Sequence, residues 1–237
     1  MGLTEYQRKR RFGVTPEPPG KQRPPRRTAK SLAFVVQKHR ASRLHYDFRL
    51  EWKGVLLSWA VPKGPSLDPS VKRLAMQVED HPLEYAKFEG IIPEGEYGGG
   101  TVMIWDRGTW VPETSDVDAA LRKGELKLAL EGKKLRGSWV LVRTRPPASA
   151  PAGKPAWLLI KHRDAAASDE DVAVTRPRSV VSKRLLAEIA WQEGGNVERA
   201  ASADPPSEIR RLVENPSLVA RTRHRRPSVW RSNRAGS

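Results

Sequence analysis

The run Leu44–Trp52, "LHYDFRLEW", alternates without a break. Leu44, Tyr46, Phe48, Leu50 and Trp52 take even positions; His45, Asp47, Arg49 and Glu51 take odd ones. An extended strand sends successive side chains to opposite faces. One face of this segment is therefore apolar, and the other carries an imidazole, a carboxylate and a guanidinium in a row. The flanking sequence is also strand-like. "LAFVVQK" (32–38) reads as a buried strand, and "GVLLSWAV" (54–61) follows Lys53-Gly54 closely enough to pair with 44–52 as a hairpin. "RLAMQVE" (73–79) alternates again, with Leu74, Met76 and Val78 expected toward the core and Arg73, Ala75, Gln77 and Glu79 opposite.

Farther along, residues 89–112 hold a glycine-rich turn and two short aromatic strands. A helix is expected between Ser115 and Gly124, with a strand after it. "SWVLVR" (138–143) and "AWLLIKH" (156–162) read as strands joined by a mobile Pro/Ala loop. Short helices are expected after Ser182 and over 206–215. About eight short strands and few helices favour a mainly β barrel or sandwich. The tryptophans read as core, with Trp230 in the basic tail the one to check.

The chain has 237 residues, 38% of them hydrophobic, and a net charge of +16. Residues 1–30 contribute +7 and residues 208–237 contribute +6, so the middle is nearly balanced. This pattern describes a globular body with basic arms, and it favours a polyanionic partner such as nucleic acid; tails that only aid solubility are the alternative. Residues 13–30, rich in proline and charge, are expected to be extended or disordered. There is no cysteine, so disulfides, thiolate catalysis and cysteine–zinc sites are excluded. No signal-peptide pattern opens the chain, and the longest apolar stretch, 55–62, is too short to span a bilayer. The expectation is a soluble, cytoplasmic protein.

The candidate chemistry sits on the polar face of 44–52. His39 precedes His45 by six residues, giving His-x5-His-x-Asp-x-Arg. Two imidazoles and a carboxylate make a facial ligand set for one divalent metal, with other positions left open. The alternative is a solvated edge strand in which Asp47 pairs Arg49 or Arg43. If both alternating strands turn their apolar sides to one core, Arg49, Arg73, His81, Tyr85 and Lys63 surround the cluster. Cations beside a metal suit a phosphate. "EGEYGGGTV" (94–102) lacks the Lys-Ser/Thr ending of a P-loop, so tight-turn geometry accounts for its glycines. His162 reads as a strand-end histidine.

Three stretches, "FVVQKHRASRLHYDFRLEWKGVLLSWAVPKGPS", "DHPLEYAKFEGIIPEGEYGGGTVMIWDRGTW" and "KLRGSWVLVR", resemble the 3'-phosphoesterase domain of bacterial ATP-dependent DNA ligase D, which also exists as free-standing proteins. The resemblance covers about residues 3–192. It implies a small closed or crescent-shaped β-barrel with a concave site and a Mn2+-dependent activity that removes a 3'-terminal phosphate from DNA and, in many members, a 3'-terminal ribonucleoside. By motif position it implies His39, His45 and Asp47 as metal ligands, and Arg49 and His81 as phosphate-contacting and catalytic residues. It also places Tyr85 nearby as a catalytic residue, Lys63 and Arg73 nearby as phosphate- or DNA-binding residues, and Arg10 and Glu17, which match the family's N-terminal pattern, in the same binding role. Where the family reads "KRDF", this chain has Lys9-Arg10-Arg11-Phe12, so Arg11 replaces the acid. In the family that arm serves ribonucleoside removal more than phosphate removal, so the resemblance implies the second activity more firmly than the first.

The expected organisation is a basic Pro-rich arm (1–30), a barrel phosphoesterase domain (31–192) and a basic C-terminal extension (193–237). Expected partners are DNA 3' ends, with a separate DNA ligase or polymerase and the Ku end-binding protein as candidates, and no membrane. Since metal-ligating histidines must be neutral, activity should fall below about pH 6. Two other functions compete: a non-catalytic DNA-binding module of end-joining repair, and a non-haem iron oxygenase built on His45, Asp47 and His162.

Overall fold

Lys53 and Gly54 both adopt positive φ, 48° and 82°. That is the backbone of a two-residue hairpin turn, and it sets the register between β2 (Leu44–Trp52) and β3 (Val55–Val61), with Trp52 opposite Val55 and Arg49 opposite Ser58. The computed structural model describes residues 2–20, 32–146 and 155–217. Its other strands are β1 (Leu32–Arg40), β4 (Arg73–Pro82), β5 (Gly90–Ile92), β6 (Gly100–Pro112), β7 (Glu125–Gly132), β8 (Arg136–Thr144) and β9 (Ala156–Lys161). The strand order is β1-β2-β3-β4-β9-β8-β7-β6, antiparallel throughout. β6 then pairs with β1, from Leu32 opposite Trp110 to Arg40 opposite Thr101, and closes an eight-stranded barrel. β5 adds to β6 at the end remote from that seam's start.

Alternate residues of all eight barrel strands meet in one core. It includes Phe34, Phe48, Trp59, Ala75, Trp105, Leu128, Trp139 and Trp157. Trp59, Trp105, Trp110, Trp139 and Trp157 are fully buried, as expected of core tryptophans, whereas Trp191 is exposed and not core. Filling a small barrel with side chains in this way leaves no central pore. The opposite face of β1–β4 carries a smaller cluster of Tyr6, Leu56 and Tyr85, packed with Phe12, Leu83 and Phe88. Its roof is the N-terminal helix α1 (Thr4–Arg8) and the 3-10 turn Leu83–Lys87. Six helices are described: α1, α2 (Val117–Lys123), α3 (Val172–Thr175), α4 (Leu186–Glu193), α5 (Val197–Ala201) and α6 (Pro206–Glu214). None is long and apolar enough to cross a membrane.

Several expectations need correction. Residues 89–112 form no pair of short aromatic strands: β6 runs unbroken for 13 residues. The Asp106-Arg107-Gly108 triplet resembles a turn signal, yet the Asp106 carboxylate accepts from the backbone N–H groups of Lys133, Lys134 and Leu135. Gly108 is needed because the backbone of Glu131 and Gly132 approaches too closely for a side chain. The cap of α2 is Asp116, accepting from Ala119 N, rather than Ser115. Helix α4 starts at Leu186 because Lys183 sits at φ 64°, which a right-handed helix cannot include. Residues 15–17 are not loose: Thr15 and Glu17 are buried. Most of the Pro/Ala loop, residues 21–31, the tail from 218 and Trp230 lie outside the described residues.

The largest correction concerns β4. Its apolar even positions do not line the core. Gln77 pairs with the core residue Trp59 and accepts from Trp157 Nε1, while Val78 pairs with Ser58 on the outer face. A register shift between Leu56 and Ser58 then inserts one extra residue in β4, so that His81 pairs with Leu56. The bulge reverses which parity points outward. Ala75 and Gln77 therefore face the core, and Glu79 and His81 face the roof.

Candidate active site

On β1 and β2 the outer face gathers the polar residues. His39 lies opposite His45, Gln37 opposite Asp47, and Arg49 opposite Ser58 across β2–β3. His39, Asp47, Arg49 and Ser58 are buried, while the His45 side chain is 23% exposed and gives solvent its way in. His39 Nε2 lies 2.8 Å from the Gly98 carbonyl, and His45 Nδ1 lies 3.1 Å from the Arg43 carbonyl. Each ring donates to its carbonyl, so His39 Nδ1 and His45 Nε2 keep their lone pairs. These atoms stand 3.6 and 3.7 Å from Asp47 Oδ2. All three candidate ligand atoms fall within 4.8 Å of one another.

This donor set fits a divalent cation. Two imidazole nitrogens and one carboxylate oxygen converge, and a backbone carbonyl fixes the tautomer of each ring from behind. Burial alone would raise the Asp47 carboxyl, but Arg49, His45 and His39 outweigh it and hold the group well below the carboxylate range. Burial lowers the His45 pKa against the pull of Asp47. The cluster is thus an ionised carboxylate beside a His45 imidazole that burial keeps ready as a neutral ligand.

Arg49 organises the next layer. Its Nε donates to Gln37 Oε1 at 2.8 Å, its Nη1 to Ser58 Oγ at 2.8 Å, and its Nη2 meets Asp47 Oδ2 at 3.2 Å. Nη1 also lies 2.9 Å from His81 Nδ1, and Arg10 Nη2 lies 3.1 Å from His81 Nε2. His81 Nδ1 stands 2.8 Å from the Glu79 carbonyl as well. A neutral imidazole accepts at one nitrogen only. With Nδ1–H on Glu79 and Nε2 accepting from Arg10, the Arg49 contact sets donor against donor. Burial first, then Arg49 and Arg10, push the His81 pKa well below its ordinary value. The Arg49 Nη1–His81 Nδ1 contact is therefore left without an acceptor, although Asp47, Glu17 and Glu79 balance the two guanidinium charges.

The roof completes the site. Tyr6 and Tyr85 hold the His81 ring between them, with centroids 4.9 and 4.8 Å away. Arg10 lies over the Tyr6 ring at 3.9 Å and donates to Glu17 at 2.8 Å. Tyr85 donates to the same Glu17 oxygen at 3.0 Å. Burial, then Glu17, raises the Tyr85 pKa well above its usual value, so the phenol keeps its proton. Lys9 pairs with Glu79 at 3.0 Å, and Arg11 makes a two-pronged pair with Glu96.

The fold therefore brings His39, His45, Asp47, Arg49, His81, Tyr85, Arg10 and Glu17 together. It does not bring Lys63 or Arg73 to them: among the described residues, no hydrogen bond or ion pair joins either to the cluster. Arg73 pairs with the core residue Leu159, which puts it on the other side of the sheet, and Lys63 is exposed in the turn beyond β3. His162 bonds Ser138 at 2.8 Å and stays apart from the cluster, which removes the third ligand of the oxygenase reading. Sequence reasoning missed Gln37, Ser58 and Glu79. The first two carried a usable signal, each being a lone polar residue in an apolar run, "LAFVVQ" and "VLLSWAV".

Residues 37–143 match the family model described as the DNA Ligase D 3'-phosphoesterase domain. The chain is 55% identical over 188 residues to the multifunctional non-homologous end joining protein LigD of Pseudomonas aeruginosa, covering 78% of this chain and 22% of that protein. It is 50% identical over 142 residues to the multifunctional non-homologous end joining DNA repair protein LigD of Mycobacterium tuberculosis, covering 60% and 18%. With the LigD protein of Mycolicibacterium smegmatis it shares 44% identity over 148 residues, covering 60% and 19%. The chain thus spans about a fifth of the length of these relatives.

Proposed function

Through residues 37–143 the chain belongs to the DNA ligase D 3'-phosphoesterase domain family, and from that premise we propose that it processes DNA ends for non-homologous end joining by removing a 3'-terminal phosphate. The observation that carries the reading is the convergence of His39 Nδ1, His45 Nε2 and Asp47 Oδ2, with the Arg49 guanidinium 3.2 Å from the same carboxylate. His39, His45 and Asp47 would hold the cation, with Mn2+ as our assignment. The cation would supply Lewis acidity at a phosphoryl oxygen and a lowered pKa for water.

The chain's own residues do the rest. Arg49 has donors committed to Gln37, Ser58 and Asp47, so its plane is fixed before substrate arrives. A phosphate oxygen entering beside Nη1 accepts where His81 Nδ1 cannot, and relieves the donor conflict there. Charge gathering on the phosphoryl oxygens meets a preorganised guanidinium in a water-poor site. His81, neutral in the free protein, orients substrate by hydrogen bonding. It becomes able to give a proton to the leaving oxygen only once an added anion raises its pKa. Tyr85 and Glu17 lock Arg10 against His81. Arg11 is held by Glu96, so the family's acid at that point has no counterpart, and we expect 3'-ribonucleoside removal to lag phosphate release.

The test is phosphate release from a 3'-phosphorylated primer–template with Mn2+, comparing wild type with His45→Ala. Release by wild type and not by the variant supports the reading. No release by wild type, with DNA still bound, would reassign the protein as a DNA-binding module of the repair machinery.

A further inference from the structure

The loop 93–99 runs past the cluster. Its Gly98 carbonyl touches His39, and its Glu96 carboxylate is pinned by Arg11 from the roof. Between these two anchored residues stands Tyr97, whose side chain is partly exposed. Tyr97 and Trp191 are the exposed aromatic side chains among the described residues, at 44% and 55%. Trp191 lies on α4, which packs on β5 and β6, and among the described residues no ring contact or hydrogen bond joins it to the cluster. Tyr97 reaches the site along two independent routes. One is the peptide link to Gly98 and so to His39. The other passes through Arg10, whose guanidinium carbon is 5.6 Å from the Tyr97 ring centroid while its Nη2 contacts His81. Lys9 Nζ lies 4.8 Å from the same centroid and 3.4 Å from the hydroxyl.

Lys9 and Arg10 are both neutralised by carboxylates, Glu79 and Glu17 among them. They are therefore poor contacts for DNA phosphates, and what this edge of the roof offers a substrate is the ring itself. With a phosphate at Arg49 and the metal ligands, the way out for its nucleoside lies past His45, the most exposed side chain of the metal set, whose ring is 4.7 Å from that of His39 and so beside the loop anchored at Gly98.

We propose that Tyr97 is a substrate-binding residue, forming a stacking platform for the base of the terminal nucleotide. The proposal rests on the reading above, in which a DNA 3' end enters this site. Stacking on an aromatic ring tolerates any base, as end processing requires. The paired anchors at Glu96 and Gly98 hold the platform in place, so little ordering cost falls on binding.

Two readouts test this. The first is steady-state phosphate release from a 3'-phosphorylated primer–template whose terminal nucleotide is either normal or abasic. On the normal end, Tyr97→Ala should raise KM about tenfold, within the range for losing one base–aromatic stack, with kcat within about twofold. Tyr97→Phe, which keeps the ring, should stay within about twofold of wild type. On the abasic end wild type should lose a similar factor, and Tyr97→Ala should cost nothing more. Equal loss on both ends, or Tyr97→Phe as damaged as Tyr97→Ala, would overturn the platform and leave Tyr97 a packing residue for Lys9. The second readout is 2-aminopurine fluorescence at the terminal position, measured in EDTA. Wild type and Tyr97→Phe should quench it on binding and Tyr97→Ala should not; equal quenching by all three rejects the proposal. Because this signal needs no turnover, it judges the platform even if wild type releases no phosphate, which would count against the enzymatic reading alone.

Discussion

Replacing Arg49 by lysine separates two jobs that one side chain performs. Arg49 supports Asp47 with its charge and, in our reading, grips phosphate with its planar fork. Lysine keeps the charge and loses the plane. Two hydrogen bonds to neutral partners, Gln37 Oε1 and Ser58 Oγ, disappear or are made only in alternation. Because the donor is charged, each is worth about 1.5 kcal/mol or more, so the stability loss should be about 3 kcal/mol, or roughly 8 °C in Tm for a chain of this size. The Asp47 carboxylate still faces a cation, so Mn2+ affinity should stay within about threefold. Transition-state stabilisation suffers more. Losing a preorganised donor from a buried site typically costs about 3–4 kcal/mol, so kcat should fall on the order of a hundredfold to a thousandfold. The assays are phosphate release from a 3'-phosphorylated primer–template, Mn2+ binding by electron paramagnetic resonance, and thermal unfolding. If Mn2+ affinity fell as far as kcat, Arg49 would be acting only through Asp47. Activity within about fivefold of wild type would remove Arg49 from phosphate binding altogether.

The pH dependence of Mn2+ binding follows from the lowered His45 pKa. Burial keeps the His45 imidazole neutral at and above the ordinary histidine pKa, so protons should compete with Mn2+ at this ligand only in more acidic solution, where affinity falls about tenfold per unit for that proton; calorimetry showing the loss already complete at pH 7 would contradict this. The Lys38–Asp204 ion pair, 3.2 Å apart, is buried at one end of the barrel core, and burial pushes Lys38 down and Asp204 up. Lys38→Met alone should destabilise by about 3–5 kcal/mol, whereas Lys38→Met with Asp204→Asn, which keeps an acceptor for Ala187 N, should recover most of it in urea melts. Ending the chain at residue 192 should cost more than losing Asp204, because the core residue Ala200 goes with it, with ellipticity melts as the measure. For Arg11 and Glu96, exchanging the two charges should restore 3'-phosphate release lost by either single reversal; a double-mutant cycle with no coupling would show that the pair does not position the loop.

The alternation of residues 44–52 carried much of the candidate site in plain view. Strand parity is a local property, so His45, Asp47 and Arg49 had to share one face whatever the rest of the chain did, and the Lys53-Gly54 turn set Ser58 across from Arg49. His39 required only one further step, a short connection returning β1 beside β2. The tertiary structure alone decided which residues of β4 join them. Its even positions look like a core stripe, but β4 carries a bulge in its pairing with β3, and one extra residue exchanges the two faces: Arg73 goes to the core side while Glu79 and His81 come to the roof. Nothing in residues 73–82 announces that shift, because a bulge is a relation between two strands. The same holds for the roof. Glu17, Tyr6 and Glu96 find their partners across long stretches of sequence, and a carboxylate near a proline-rich arm reads as solvated until packing removes the water around it.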